Sequence, residues 1–363
     1  MRRDNYAVSL IFTFIVRDEA VLIKGTKEEK RLKGKTLGLW KKLLIFLAFE
    51  AVFTAVTMPL LVFYGPFENV KRTIVGMSWN SLSHQYIAKF FLSDDAIQRI
   101  VGANAVVDPV EQGEEVRKIN IGPNHSNEIK IYNIDGGSFK GKLAEISDPT
   151  SVYVGYSSQM PQSGETTSSI ARREKAVLAI NAGGFMDQEW TGTGGAPMGF
   201  IFHDGKLVFN QFKSEKTKQD TAVFTDKGML IVGKHSVEQL KKLGAKEGVS
   251  FGPPLIVNGK PTITRGDGGW GIAPRTAIGQ REDGTVLFLV IDGRNFGSLG
   301  ATLREVQDIL MQFKAVNAVN LDGGSSTTMY FNGKLLNKPS DALGERAVPS
   351  VFMVVPGKAG GKK

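Results

Sequence analysis

The run Asn320-Leu321-Asp322-Gly323-Gly324-Ser325-Ser326-Thr327-Thr328 puts one carboxylate, two glycines and four hydroxyls within nine residues. Glycines let backbone N–H groups approach a ligand closely, and successive amides can cradle an anionic oxygen. A carboxylate there could act on a reacting carbon or activate a water. The same residues also suit an ordinary turn in which Asp322 hydrogen-bonds its own loop. Asp292-Gly293-Arg294 repeats the combination with a cation, although that pair could simply form a salt bridge. Arg275, in Ala273-Pro274-Arg275-Thr276, offers a guanidinium suited to bidentate phosphate recognition. Asn181-Ala182-Gly183-Gly184 adds an amide and two glycines directly after an apolar run. Glu305 has the spacing of a capping box with Thr302, which accounts for it structurally. His203 falls in a turn sequence. Trp190 and Trp270 sit in glycine-rich stretches, where indoles can stack on sugar rings or pack over a core.

Other chemistries lack their residues. The 363-residue chain has no cysteine, so disulfides, thiolate zinc sites and cysteine nucleophiles are out. Its four histidines (His84, His125, His203 and His235) are scattered, which argues against a histidine-rich metal centre. Gly233-Lys234 lacks the rest of a Walker A loop, and no GxSxG or HExxH occurs.

The candidate residues need rigid elements beneath them. Forty-two glycines, many beside Asp or Asn, indicate a β-rich fold with tight turns. Strands are expected at Val177–Ile180, Met198–Phe202, Lys206–Phe209, Leu255–Val257, Val286–Ile291, Ala318–Leu321, Thr328–Phe331, Lys334–Leu336 and Val351–Val355. His203-Asp204-Gly205 and Asn332-Gly333 read as hairpin turns. The clearest helix is Thr302–Phe313, with Leu303, Val306, Ile309, Leu310 and Phe313 on one face. The expected class is α+β, a β-rich mixed-sheet domain with few helices over residues 118–356, preceded by one transmembrane helix.

Leu43–Tyr64 is that helix. Its 22 residues carry one charge, Glu50, and would span ~33 Å of a ~30 Å bilayer core. Pro59 is tolerable in such a helix. A cleaved signal peptide would have an apolar region of about 7–15 residues, ending in small residues. The run here ends Val-Phe-Tyr-Gly-Pro, which favours an uncleaved anchor. Of the net charge of +9, most lies in the tail 1–42, with 11 Lys/Arg against 5 Asp/Glu. By the positive-inside rule the tail is cytoplasmic and everything after Tyr64 lies outside. The remainder is nearly balanced, which argues against nucleic acid as a partner. Tyr6–Val16 is a second apolar run, too short to span. Residues 65–117 read as a juxtamembrane stalk with one short helix capped by Ser93 and stopped at Gly102, then a polar linker at Glu111–Lys118. Residues 357–363 read as a disordered tail.

The loops also occur in an order that resembles the phosphodiester glycosidase family. The pieces are Ile180-Asn181-Ala182-Gly183-Gly184-Phe185, Pro197-Met198-Gly199, Phe251-Gly252-Pro253-Pro254-Leu255, Pro274-Arg275-Thr276-Ala277-Ile278-Gly279, Asp292-Gly293-Arg294, Ser298-Leu299-Gly300-Ala301-Thr302-Leu303 and Asn320-Leu321-Asp322-Gly323-Gly324. Together they cover about residues 175 to 355. Ser325 stands where the family often has a third glycine, and Asn181-Ala182-Gly183-Gly184 departs from a more usual Asn-Gly-Gly. The resemblance implies hydrolysis of a sugar-1-phosphodiester to free sugar and a phosphomonoester, with a cell-surface glycan or exopolysaccharide as substrate. Asp322 or Asp292 would supply the carboxylate. Arg275, then Arg294, would hold phosphate. Asn181, Gly183, Gly184, Gly323, Gly324, Ser325, Ser326 and Thr327 would bind and orient sugar or phosphate oxygens. No cofactor is expected, and the sequence leaves open whether an aspartate-rich loop holds a divalent cation. Two other classes fit the same residues: a phosphodiesterase cutting P–O, and a non-catalytic glycan-binding or assembly protein.

Overall fold

The computed structural model describes residues 38–79, 84–103, 119, 121–122, 126–186 and 193–356. The tail through residue 37 with its apolar run, the linker 111–118, His125, Trp190 and the last seven residues lie outside the described residues. The chain divides into two compact units, Met1–Met58 and Pro59–Lys363.

Helix α1, Leu39–Tyr64, begins four residues before the expected span and contains Pro59. It is apolar all round and solvent-exposed, and long enough to cross a membrane. Residues 65–103, expected as a stalk with one helix, form three: α2 (Glu68–Trp79), α3 (Gln85–Phe91) and α4 (Asp94–Ala103). Helices this short are marginal alone and need tertiary packing. They find it around Phe63, Val75, Ala88 and Ile97, with Phe63 stacked on Phe91 at 4.4 Å. Ser93 caps α4 as expected, its Oγ accepting from the Ala96 N–H at 3.3 Å.

The remainder is an α+β body of three main sheets. The largest has seven strands in the spatial order Ile129–Asp135, Lys140–Ile146, Val286–Ile291, Arg275–Arg281, Ala315–Leu321, Pro254–Val257 and Lys260–Pro261. The other two have five strands each, one centred on Ala245–Ser250 and one on Leu178–Asn181. Every pairing among the described strands is antiparallel, where a mixed sheet was expected. Short hairpins can return a chain only antiparallel, and this chain uses many of them. Three further helices, α5 (Thr167–Arg173), α6 (Val237–Lys242) and α7 (Leu303–Gln312), complete the α-helices among the described residues.

Val286–Ile291 shows how the body is built. It is apolar at every position because both its faces are covered. Val286, Phe288 and Val290 pack with Ile180, Phe224 and Phe352 of the five-stranded sheets. Leu287, Leu289 and Ile291 pack with Leu303, Val306 and Leu310 of α7. The capping box that starts α7 forms as the sequence indicates. Glu305 Oε2 accepts from the Thr302 N–H at 2.8 Å, and Thr302 Oγ1 accepts from the Glu305 N–H at 3.2 Å.

Strand register assembles the loops. Arg275 pairs with Ile291, and Thr276 with Leu321. Strands ending at Ile291 and Leu321 therefore release Asp292 and Asp322 at the sheet end where Arg275 begins. Sequence separations of 17 and 30 residues disappear into one sheet edge.

Candidate active site

Asp322 is held by backbone and staple. Its N–H donates to Ala182 O at 3.0 Å. Its carbonyl accepts from Asn181 Nδ2 at 2.5 Å. Asn181 is fully buried, and its Oδ1 accepts from Thr276 Oγ1 at 2.8 Å and the Thr328 N–H at 3.1 Å. Expected to face substrate, Asn181 instead ties three loop segments together inside the protein. Next in the chain, a Cβ on Gly323 would lie 2.8 Å from Pro274 O, so the backbone approach there needs glycine. Gly324 has φ +60°, and its N–H donates to Pro274 O at 2.9 Å.

The Asp322 carboxyl itself is incompletely served. Oδ2 is shielded from water and has no hydrogen-bond partner. Burial pushes its pKa up to about 6, against the opposing pull of the Ser326 hydroxyl, the Arg346 charge and the Gly323 amide. A carboxyl that changes charge near neutrality suits a catalytic acid or base.

Two arginines face it across a cavity of about 510 Å³, which is lined by Asp322, Arg275, Arg294, Gly323 and Gly324. Arg275 is 4% exposed. Its Nε donates to Ala301 O at 3.0 Å, and Nη2 donates to Trp270 O at 3.0 Å and Gly271 O at 2.6 Å. Burial lowers its pKa to about 10, which still leaves it charged. Its Nη1 takes no part in these bonds, and Arg275 as a residue lines the cavity. Arg275 is thus both a clamp on the 270–271 loop and a cation at the site. Arg294 adopts φ +57°, and its Nη1 donates to Ser325 Oγ at 3.4 Å. Burial and then the charge of Arg346 lower its pKa. Arg346 lies with its guanidinium 4.8 Å from the Phe185 ring centre and completes a cationic group around Asp322. Nothing in the spacing around Arg346 marks it in the sequence, and only the fold brings it here.

Apart from Trp270, the other candidate residues lie off this cavity. Asp292 Oδ1 accepts from the Lys338 N–H at 3.1 Å, and its carbonyl accepts from Ser298 Oγ at 2.6 Å. Burial raises its pKa, while the Lys338 amide and Asn337 act against that. Its place is at a loop junction, which separates it from Asp322 in a way the sequence could not. The Gly183 N–H donates to Ser350 Oγ at 3.1 Å, and a Cβ on Gly184 would lie 2.7 Å from the Phe251 ring. Ser326 and Thr327 are buried in the Asp322 loop. Trp270 lines the cavity, presenting its ring 5.9 Å from the Arg275 guanidinium.

A second cavity, of about 530 Å³, shares Trp270 and is lined by Met198, Gly199, Asp220, Ser250 and Phe251. Among the described residues no Arg, Lys or His lines it, so they bring it none of the cations a phosphate requires. Among the described residues no three His, Cys, Asp or Glu side chains converge as a metal site.

The family model for phosphodiester glycosidases matches residues 174–355, half of the chain. The chain belongs to the phosphodiester glycosidase family. It is 35% identical over 214 residues to the SPbeta prophage-derived uncharacterized protein YomE of Bacillus subtilis, covering 57% of this chain and 31% of that protein. It is 41% identical over 70 residues to the Bos taurus N-acetylglucosamine-1-phosphodiester α-N-acetylglucosaminidase, 19% of this chain and 13% of the relative. The chain thus spans less than a third of the length of these relatives. The zebrafish N-acetylglucosamine-1-phosphodiester α-N-acetylglucosaminidase catalytic domain, solved auto-inhibited by its pro-peptide, superposes with a TM-score of 0.55 at 25% identity, covering 68% of this chain and 90% of that one. In this member of the family, Asn181, Arg275, Arg294, Asp322 and Arg346 all fall inside the matched segment, and helices α1–α5 precede it.

Proposed function

We propose that this protein hydrolyses the glycosidic C–O bond of a sugar-1-phosphodiester, on the outer side of a membrane crossed by α1. The observation that carries the proposal is the meeting of one carboxylate, Asp322, with Arg275, Arg294 and the Gly323–Gly324 backbone in a single cavity. Arg275 Nη1 and Arg294 hold the non-bridging phosphate oxygens. The Asp322 carboxylate, which lines the same cavity, takes a proton from a water attacking the anomeric carbon. The C–O bond breaks, the water oxygen stays on the sugar, and the phosphomonoester leaves with the bridging oxygen and its electron pair. A phosphate so held is a good leaving group, so the second carboxyl acid of ordinary glycoside hydrolysis is dispensable. Direct attack by water inverts the anomeric centre. No cofactor enters the scheme. The basic residues before α1 support the outward orientation. The family's sugar-phosphate chemistry supports a surface glycan or sugar-phosphate polymer as one source of the linkage.

The test is incubation of the purified protein in ¹⁸O-water with N-acetylglucosaminyl-1-phosphate diesters, followed by mass spectrometry of the products. Label in the free sugar is expected. Label in the phosphate would mean P–O cleavage and would overturn the proposal. Retention of the sugar phosphodiester without turnover would point to a binding protein.

A further inference from the structure

The cavity has a wall that the phosphodiester chemistry does not use. Helices α2 and α3, outside the family-matched segment, contribute Ile74, Met77 and Ile87 to it, and Ile272 continues the apolar side. The Ser78 hydroxyl on this wall is spent on Val75 O. The helices are seated firmly. A Cβ on Gly76 would lie 2.8 Å from Gly269 O, and one on Gly271 would lie 2.4 Å from Met77 Cγ. Helix α2 therefore presses on the loop whose carbonyls Arg275 holds from the other side. The cavity thus joins a cationic end to a mainly apolar wall, on which His84 also lies.

Two loops tied to the site carry exposed apolar tips. Phe296 follows Arg294 by two residues and is fully exposed, with Leu299 62% exposed. Leu343 is 96% exposed and follows Ser340, whose Oγ donates to Gly324 O at 3.5 Å. In sequence, α2 follows the membrane-length α1 after three residues.

We propose that the second ester of the phosphate carries a hydrocarbon chain: the substrate is a glycosyl-1-phosphate ester of a lipid alcohol, its phosphate against Arg275 and Arg294 and its chain along Ile74, Met77 and Ile87. The reaction rests on the glycosidase proposal, whereas the chain site does not. The two are separable by experiment.

Binding of methyl, butyl and hexyl phosphate is measured by calorimetry on the full-length protein in lipid nanodiscs, with empty nanodiscs correcting for partition. Half-burial of each methylene gives a gain on the order of 30-fold from methyl to hexyl. Met77→Gln, which keeps the side-chain length at a residue 44% exposed, and Ile74→Thr should flatten that dependence several-fold. Hexyl phosphate binding no tighter than methyl, or a gain untouched in both variants, would overturn the proposal. Hydrolysis of methyl and hexyl N-acetylglucosaminyl-1-phosphate is followed in parallel. Chain-dependent binding without turnover would remove the glycosidase proposal and leave the lipid site standing. Equal kcat/KM for both esters would do the reverse. Faster turnover of both esters in the variants would mean that α2 obstructs the site, and would also overturn the lipid proposal.

Discussion

Asp322 and the two arginines carry separable consequences. Its burial raises the Asp322 pKa from the ordinary 3.8 to about 6. As a base it must be ionised, so kcat/KM should fall below pH 6 with unit slope, read from a pH–rate profile. The same shift costs stability. The folded state holds this proton more tightly than the unfolded one, so stability declines between pH 4 and 6 and stays reduced above. Asp322→Asn should therefore abolish turnover, by 10³-fold or more. It should also raise Tm at pH 7.5 but not at pH 4, by an amount worth up to about 3 kcal/mol. Arg275 and Arg294 should divide differently. Arg294 is exposed and its hydrogen bond to Ser325 Oγ is long, at 3.4 Å, so Arg294→Ala should raise KM about 10- to 100-fold with Tm nearly unchanged. Arg275 clamps three carbonyls while buried, so Arg275→Ala should lose activity and also about 3–5 kcal/mol in chemical denaturation. Of the candidate residues, the carboxylate and its neighbouring glycines were legible because their types and spacing are local. Asn181 looked like a ligand-facing amide because sequence does not say which way a buried amide points.

At the scale of elements, apolar runs and capping boxes read true. Val286–Ile291 is a strand with the expected ends, and α7 begins at its box. Loss of the Thr302 cap should cost about 1 kcal/mol. Thr302→Ala should lower Tm by roughly 2–3 °C. Because α7 covers the Leu287–Leu289 face and not the cavity, the KM for substrate should be unaffected. The strands Ile129–Asp135 and Lys140–Ile146 passed unnoticed, since charged residues interrupt their apolar pattern and one face of the first is exposed. Helices α2 and α3 were unread for a related reason. Each is short and mixed in composition, and each is stabilised by a neighbour 10 or more residues away rather than by its own sequence.

For the whole molecule, the asymmetry of charge about α1 predicts topology. In membrane vesicles or spheroplasts, externally added protease should digest the β-rich body while an epitope on the first 37 residues survives. Digestion of the epitope with protection of the body would reverse the assignment. The sequence by itself determined the membrane-length helix, the α+β class, the strand-to-loop junctions and the family, because each is written in local composition or in an ordered set of short motifs. Tertiary structure alone decided that Asp322 and not Asp292 faces the cavity, that Asn181 is a staple, that Arg346 joins the site, and that α2 and α3 wall it. Those facts depend on register between antiparallel strands and on packing between distant segments. A one-residue change in register would turn the same side chains to the other face of the sheet, and no local pattern records that choice.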